Sequence, residues 1–287
     1  MKRKEIARQT LEIMEQGYYE AEGTKVEIGA GQAYSVENSI LITPQEGQEL
    51  LSGYGEEGDT ARADEAEGKA GDAIQTPVRR CIVKNCPTVQ AILELCAQGK
   101  HPGVLNFASA KNPGGGFLNG AMAQEESLAA SGCLYRTLLA HEEYYAGNRV
   151  CGTMMYTDHA IFSPDVIFFR DGRFSLLKEP VRASVLTLPA VNMGQVIRRG
   201  EDIGEAERVM RRRMMLALAV FADQGCRHLV LGAYGCGVFC NDPQKVARWW
   251  KELLAEHFPS AFETIVFAVL DRSADGRCIG VFETTFP

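Results

Sequence analysis

Residues 104–126 read VLNFASAKNPGGGFLNGAMAQEE. The stretch begins as VLNFAS, an apolar run of strand character. It passes into Gly114, Gly115 and Gly116, and reaches Gln124, Glu125 and Glu126 where a helix is expected to begin and continue through SLAASGCLYRTLLAHEEYY. A strand that runs through a glycine loop into a helix is a building unit of open α/β sheets, whose ligands sit beyond the carboxyl ends of the strands.

The same alternation extends on both sides from about residue 76. VRRCIVK reads as a strand, TVQAILELCAQ as a helix, and VIFFRD and VRASVLTLPAV as strands. EAERVMRRRMMLALAVFADQG is a long helix ended by Gly225, followed by the strand HLVLGAYG, the helix DPQKVARWWKELLAEHF and a last strand, TIVFAVLD. Strands alternating with helices predict a parallel or mixed sheet covered on both faces. Ahead of this block, Ile6, Ala7, Leu11, Ile13 and Met14 recur at near-helical spacing, so residues 3–16 form an amphipathic helix. TKVEIGA and SILIT are β-like. Residues 45–73 are acidic and poor in large apolar side chains, which predicts an exposed loop or hinge, with a charge-specific docking segment as the alternative. The expected organisation is an accessory extension with an acidic loop over residues 1–75 and one α/β domain over residues 76–287.

A chain of 287 residues suits one large α/β domain plus an extension. The net charge of −7 argues against general affinity for nucleic acid or an anionic membrane, while leaving room for a local amide-lined anion pocket. No apolar run approaches the ~20 residues that span a bilayer, and MKRKEIARQTLEIMEQ lacks the apolar centre of a signal peptide. Nine scattered cysteines fit reduced, mostly buried thiols in a cytoplasmic protein.

A second glycine cluster, Gly232, Gly235 and Gly237 in LVLGAYGCGVFCNDP, also lies between a strand and a helix. Glycine admits positive φ and close approach of a ligand to the backbone; successive amides ahead of a helix N-terminus make an anion cradle. The spacing matches neither a dinucleotide-binding fingerprint nor a P-loop. Each loop taken alone is more often a tight structural turn than a ligand site; two such loops at neighbouring strand ends would shift the balance toward a ligand site. Arg211, Arg212 and Arg213 read as a solvated helix face. Cys236 and Cys240 have no second Cys or His pair at zinc-like spacing, so no metal is expected. His101, His141, His159, His228 and His257 are dispersed and define no hydrolytic triad.

Glu125 and Glu126 admit two readings. Acidic residues in a helix's first turn complement its dipole by about 0.3–1 kcal/mol. Adjacent helical residues also point roughly 100° apart, so two carboxyl groups beside a ligand edge can divide the labour. One faces a bond to be broken and the other grips a neighbouring hydroxyl, as in glycosidic cleavage.

Gly-Gly-Gly, seven residues and Gln-Glu-Glu together resemble the signature of poly(ADP-ribose) glycohydrolases of the compact bacterial type. GAYGCGVFCNDP resembles that family's diphosphate loop, and SPDVIFFRD and LPAVN have the character of the bacterial group. The resemblance implies a macrodomain-like three-layer α/β/α fold with a mixed central sheet and an N-terminal helical extension. It also implies exo-acting hydrolysis of the ribose–ribose O-glycosidic bonds of poly(ADP-ribose), releasing ADP-ribose without a cofactor. Glu126 would be the acid that protonates the leaving 2′-oxygen and then assists water, and Glu125 would hold ribose hydroxyls beside Gln124. Gly114, Gly115 and Gly116 would lie against ribose and diphosphate. Gly235, Cys236, Gly237 and Val238 would offer amides to the diphosphate, Phe239 would pack on the ribose, and Asn106 and Ser109 would contact ribose. The expected partner is poly(ADP-ribose) or ADP-ribosylated protein. The alternatives are a macrodomain that binds ADP-ribose without turnover and a mono-ADP-ribosyl hydrolase.

Overall fold

The computed structural model describes residues 2–55 and 79–287. Near the amino terminus, β1 (Tyr18–Ala21) and β2 (Thr24–Glu27) pair as an antiparallel hairpin. The central sheet has seven strands: β3 (Ile40–Ile42), β4 (Arg80–Lys84), β5 (Pro102–Ala108), β6 (Ala160–Arg170), β7 (Leu176–Pro189), β8 (His228–Leu231) and β9 (Thr264–Ala268). Their order is β3-β6-β7-β5-β8-β9-β4. β3–β6 and β6–β7 are antiparallel, whereas every pair from β7 through β5, β8 and β9 to β4 is parallel. The carboxyl ends of β5 and β8 are therefore neighbours on one edge, and both glycine loops leave from there.

Alternate strand residues feed two separate cores, the period of two that a sheet covered on both faces requires. Leu105, Leu186, Leu229 and Ile265 enter one core, and Val104, Val185, Val230 and Val266 the other. Helix α1 (Arg3–Gln16) and helix α2 (Gly29–Glu37) precede β3, and α3 (Pro44–Ser52) follows it. The second core is closed by α4 (Thr88–Cys96), α5 (Gln124–Ser131), α6 (Leu134–Leu139) and α7 (Glu142–Val150), through Ile92, Leu128, Leu138 and Tyr145. The first is closed by α8 (Met193–Arg199), α9 (Ile203–Asp223), α10 (Pro243–Glu256) and α11 (Arg277–Thr285), through Val196, Phe221, Trp250 and Phe282. This gives the three-layer α/β/α arrangement with a mixed sheet. Helix α1 packs outside α5, where Ile6, Ile13 and Met14 meet Phe117, Ala129 and Phe169.

Several expectations change. The single helix expected from Gln124 through Tyr145 is three helices. Gly132 adopts an extended conformation (φ −166°, ψ −162°) and bridges Phe168, and the Cys133 N–H donates to the Ile167 carbonyl at 2.8 Å. Any Cβ on Gly132 would stand 3.0 Å from the Phe168 Cα, so the helix breaks where it must pass β6. Residues 45–52, expected as part of an acidic loop, belong to the helix Pro44–Ser52. Pro44 starts the helix, and Thr43 and Glu46 satisfy each other's backbone N–H groups in a capping box. The rest of that acidic segment from residue 56, and the boundary placed at residues 75/76, lie outside the described residues. The amino-terminal part contributes β3 to the central sheet itself. Arg213 is not on a solvated face. It is fully buried, bonded to Asp158 (2.9 Å) and to the carbonyls of Met155 (2.8 Å) and Pro189 (3.0 Å). All nine cysteines are free thiols, but contrary to the expectation of mostly buried thiols only Cys133 and Cys226 are buried, and Cys240 is exposed.

Candidate active site

β5 ends at Ala108 and the chain turns through Gly114 (φ 65°) and Gly115 (φ 57°) before entering a short 3-10 turn, Phe117–Asn119. A Cβ on Gly115 would stand 2.5 Å from Glu126 Oε1 and 3.0 Å from Glu125 Oε2. The first glycine loop therefore lies directly against both carboxyl groups, and only glycine leaves room for it.

The two glutamates occupy different environments. Glu125 is 3% exposed. Its Oε2 accepts from the Ser109 N–H at 2.7 Å and its Oε1 from Asn106 Nδ2 at 3.3 Å. Burial pushes this carboxyl up to about 8; the hydrogen bonds from Ser109 and Asn106 oppose the rise and the Glu126 charge adds to it. Glu125 thus holds its proton at neutral pH. Behind it stand Tyr144 and Tyr145, edge to face at 4.6 Å between centroids, with the Tyr144 hydroxyl donating to the Ser109 carbonyl at 3.4 Å. Glu126 is half-buried. Its Oε1 accepts from the Gly116 N–H at 2.8 Å and its Oε2 from the Ala123 N–H at 2.9 Å. Gln124 is a structural peg: its Oε1 accepts from the Phe107 N–H at 2.9 Å and its Nε2 donates to the Leu105 carbonyl at 2.9 Å, fixing the start of α5 to β5.

The second loop leaves β8. At Gly235 (φ 72°) a Cβ would meet Asn241 Nδ2 at 2.6 Å and Ala190 Cβ at 2.7 Å. Asn241 is buried and holds the loop by donating to the carbonyls of Val191 (2.8 Å) and Gly235 (3.1 Å). Beyond it Val238 is 83% exposed, and the Phe239 ring lies 6.1 Å from that of Tyr156.

Both loops and both carboxyl groups open into one cavity of about 1100 Å³, whose wall includes Ser109, Gly115, Gly116, Gln124, Glu125, Glu126 and the run Gly235, Cys236, Gly237, Val238 and Phe239. Two expected contact residues are absent from that wall. Asn106 is fully buried beneath Glu125, and Gly114 sits behind the wall, close to Tyr135. The sequence reading assigned nothing to Thr88 or to the turn after β9, yet both line the cavity. In that turn the Asp271 carboxylate accepts from Ser273 Oγ (2.5 Å) and the N–H groups of Ser273, Cys278 and Ile279, which hold it down at about 2. Its only sequence signal is the Asp-x-Ser spacing of a turn. Among the described residues there is no group of three or more His, Cys, Asp or Glu side chains placed to hold a metal ion, and no helix long and apolar enough to cross a membrane.

The family model of the microbial-type PARG catalytic domain, PARG being poly(ADP-ribose) glycohydrolase, matches residues 7–171, more than half of the chain. The chain belongs to this family. It is therefore an enzyme, a poly(ADP-ribose) glycohydrolase with a macrodomain-like fold. The crystal structure of the enzyme from Thermomonospora curvata is 39% identical, with 99% of each chain covered and a TM-score of 0.88. The same enzyme bound to the inhibitor ADP-HPD superposes with a TM-score of 0.86 at 37% identity, again over 99% of each chain. The enzyme from Deinococcus radiodurans in complex with ADP-ribose is 38% identical, covering 91% of this chain and 98% of its own, with a TM-score of 0.79. A comparison with curated proteins gives no match. The family match starts at residue 7, within α1, and so includes most of that helix, β3 and the glycine–glutamate segment in one unit.

Proposed function

We propose that the cleft binds the terminal ADP-ribose unit of poly(ADP-ribose) and releases it from the chain end, with Glu126 as general acid and then general base. One observation carries this reading: the two glycine loops and the two carboxyl groups share a single cavity. The amides of Gly235 to Val238 suit a diphosphate, and Phe239 at the end of that loop suits the face of the distal ribose. The Gly115–Gly116 turn brings that ribose within reach of both glutamates.

Glu126 faces the open cleft and delivers a proton to the leaving 2′-oxygen as the glycosidic bond breaks. It then accepts a proton from the water that attacks the oxocarbenium-like carbon. Glu125, neutral and immobilised by Ser109 and Asn106, holds a ribose hydroxyl. The step requires only carboxyl chemistry. Nine free thiols suit a reducing compartment, and we place the enzyme in the cytoplasm.

The test is release of free ADP-ribose from poly(ADP-ribose), measured in parallel with mono-ADP-ribosylated protein. Release from polymer as single ADP-ribose units, abolished in Glu126→Gln, is the expected result. Release of oligomers from the chain interior would overturn exo action, and unchanged turnover in the variant would remove Glu126 as the acid.

A further inference from the structure

The amino-terminal residues Lys2, Arg3 and Lys4 are exposed, and among the described residues none of the three side chains is held in an ion pair. By contrast Arg8, one turn further along α1, is held by both Glu5 and Glu12. Three cations at the start of a helix are unfavourable twice over: they repel each other, and they face the positive end of the helix dipole. Their placement contributes nothing to the stability of α1.

Their position relative to the cleft is fixed at two points. At the near end, a Cβ on Gly120 would stand 3.0 Å from the Lys4 backbone N and 3.3 Å from Arg3 Cβ, so the start of α1 is seated on the turn that follows Phe117–Asn119. At the far end, Thr10 Oγ1 donates to the carbonyl of Ala130, near the end of α5, at 2.8 Å. Helices α1 and α5 therefore run side by side with their amino ends together. One presents Glu125 and Glu126 and the other presents Lys2, Arg3 and Lys4. Between them lies the short turn that carries Leu118, a cavity-wall residue that is 51% exposed.

We propose that Leu118 and the Lys2–Arg3–Lys4 cluster form a docking surface for the next unit of the polymer, the one on the leaving-group side of the bond. This rests on the reading of the cleft given above. The leaving 2′-oxygen belongs to an adenosine whose 5′ carbon carries the next diphosphate, so a dianionic group lies one ribose beyond Glu126. The cationic cluster supplies its counter-charge on the rim, and Leu118 offers an apolar shelf to the intervening nucleoside.

The experiment uses the full chain, the neutralised variant K2Q/R3Q/K4Q and the charge-preserving variant K2R/R3K/K4R. Each is assayed for ADP-ribose release from purified poly(ADP-ribose) across a range of salt, for ADP-ribose affinity by calorimetry, and for thermal unfolding. In the neutralised variant KM for polymer should rise about fivefold, with kcat unchanged and a shallower salt dependence of kcat/KM. Its ADP-ribose Kd should be unchanged and its Tm equal to or above the parent's. The charge-preserving variant should behave as the parent. An unchanged polymer KM, an equal loss of ADP-ribose affinity, or equally effective competition by single-stranded RNA of matched charge would overturn the assignment. If the parent itself releases nothing from polymer, the proposed function fails and the assignment to this polymer falls with it.

Discussion

Asn106 donates to Glu125 Oε1 at 3.3 Å and to Thr187 Oγ1 at 3.1 Å, fully buried under the floor of the cleft, while its own Oδ1 has no partner. A half-turn of the amide exchanges its acceptor for its donor, so Asn106 can face either ionisation state of the Glu125 carboxyl. Replacing it by leucine keeps the branched side-chain shape, at a larger volume, and removes that partner. Asn106→Leu should cost about 1–3 kcal/mol in thermal unfolding and slow turnover about tenfold. Parent-like turnover would show that Glu125 needs no lateral support.

Glu125 also makes stability depend on pH. The folded state keeps its proton up to about pH 8, whereas a free carboxyl releases it near 4.5, so the native form binds the extra proton across that window. The stability associated with the neutral group is complete below the lower value and is lost as pH rises through the upper one. The unfolding temperature of Glu125→Gln relative to the parent should therefore increase steadily between these limits. A constant difference across the window would contradict the raised value.

Glu126 is the proposed proton donor and acceptor, and its loss removes both steps. General acid–base assistance contributes roughly 10²–10⁴-fold, and Glu126→Gln should lower kcat for polymer cleavage by at least the smaller of these. The measurement is free ADP-ribose against time at saturating polymer.

Gly235→Ala combines a left-handed backbone with a Cβ placed 2.6 Å from Asn241 and 2.7 Å from Ala190. Strain of this kind costs on the order of 1–3 kcal/mol. The second loop should shift, and ADP-ribose affinity measured by calorimetry should fall at least tenfold. Gly237→Ala, where an added Cβ meets no protein atom within 4 Å, should leave the unfolding temperature nearly unchanged.

Arg213→Met would leave Asp158 without its buried partner and two carbonyls without their donor. Breaking one side of a buried ion pair costs about 3–5 kcal/mol. Burial alone would raise the Asp158 carboxyl, but Arg213 and Arg212 together hold it below the usual range. In the parent this pair stabilises above the normal aspartate range and is lost on acidification. The variant should show a lower Tm at neutral pH and a smaller further loss in acid.

The strand–loop–helix reading of residues 104–126 was legible because each part is local: an apolar run, glycines with positive φ, and acidic residues at a helix start. Alternation of strands and helices placed both loops at carboxyl ends of strands, but that β5 and β8 are neighbours is set by long-range pairing and was not legible. What was hidden depended on distant chain segments. Gly132 breaks a helix because β6 passes beside it, and composition gives no sign of that contact. Arg213 reads as one of three similar arginines, and only Asp158, the carbonyl of Met155 and that of Pro189 separate it from its neighbours. Asn106 reads as a residue at a strand end facing ligand, yet it turns under the floor because Thr187 on the adjoining strand offers a hydroxyl there. The capping box at Thr43 and Glu46 was present in the letters and was outweighed by the acidity around it.

Glu126 grips one N–H on the glycine turn and another at the helix entrance, so both of its oxygens are already engaged before substrate arrives. A glutamine can satisfy only one of those donors and must point its own amine at the other. Chemical silence and mechanical loosening thus come together at this position. Complexes trapped with an inactivated enzyme of this type would display a turn slacker than that of the working catalyst, and affinities measured on them would understate how firmly the intact cleft closes on its sugar.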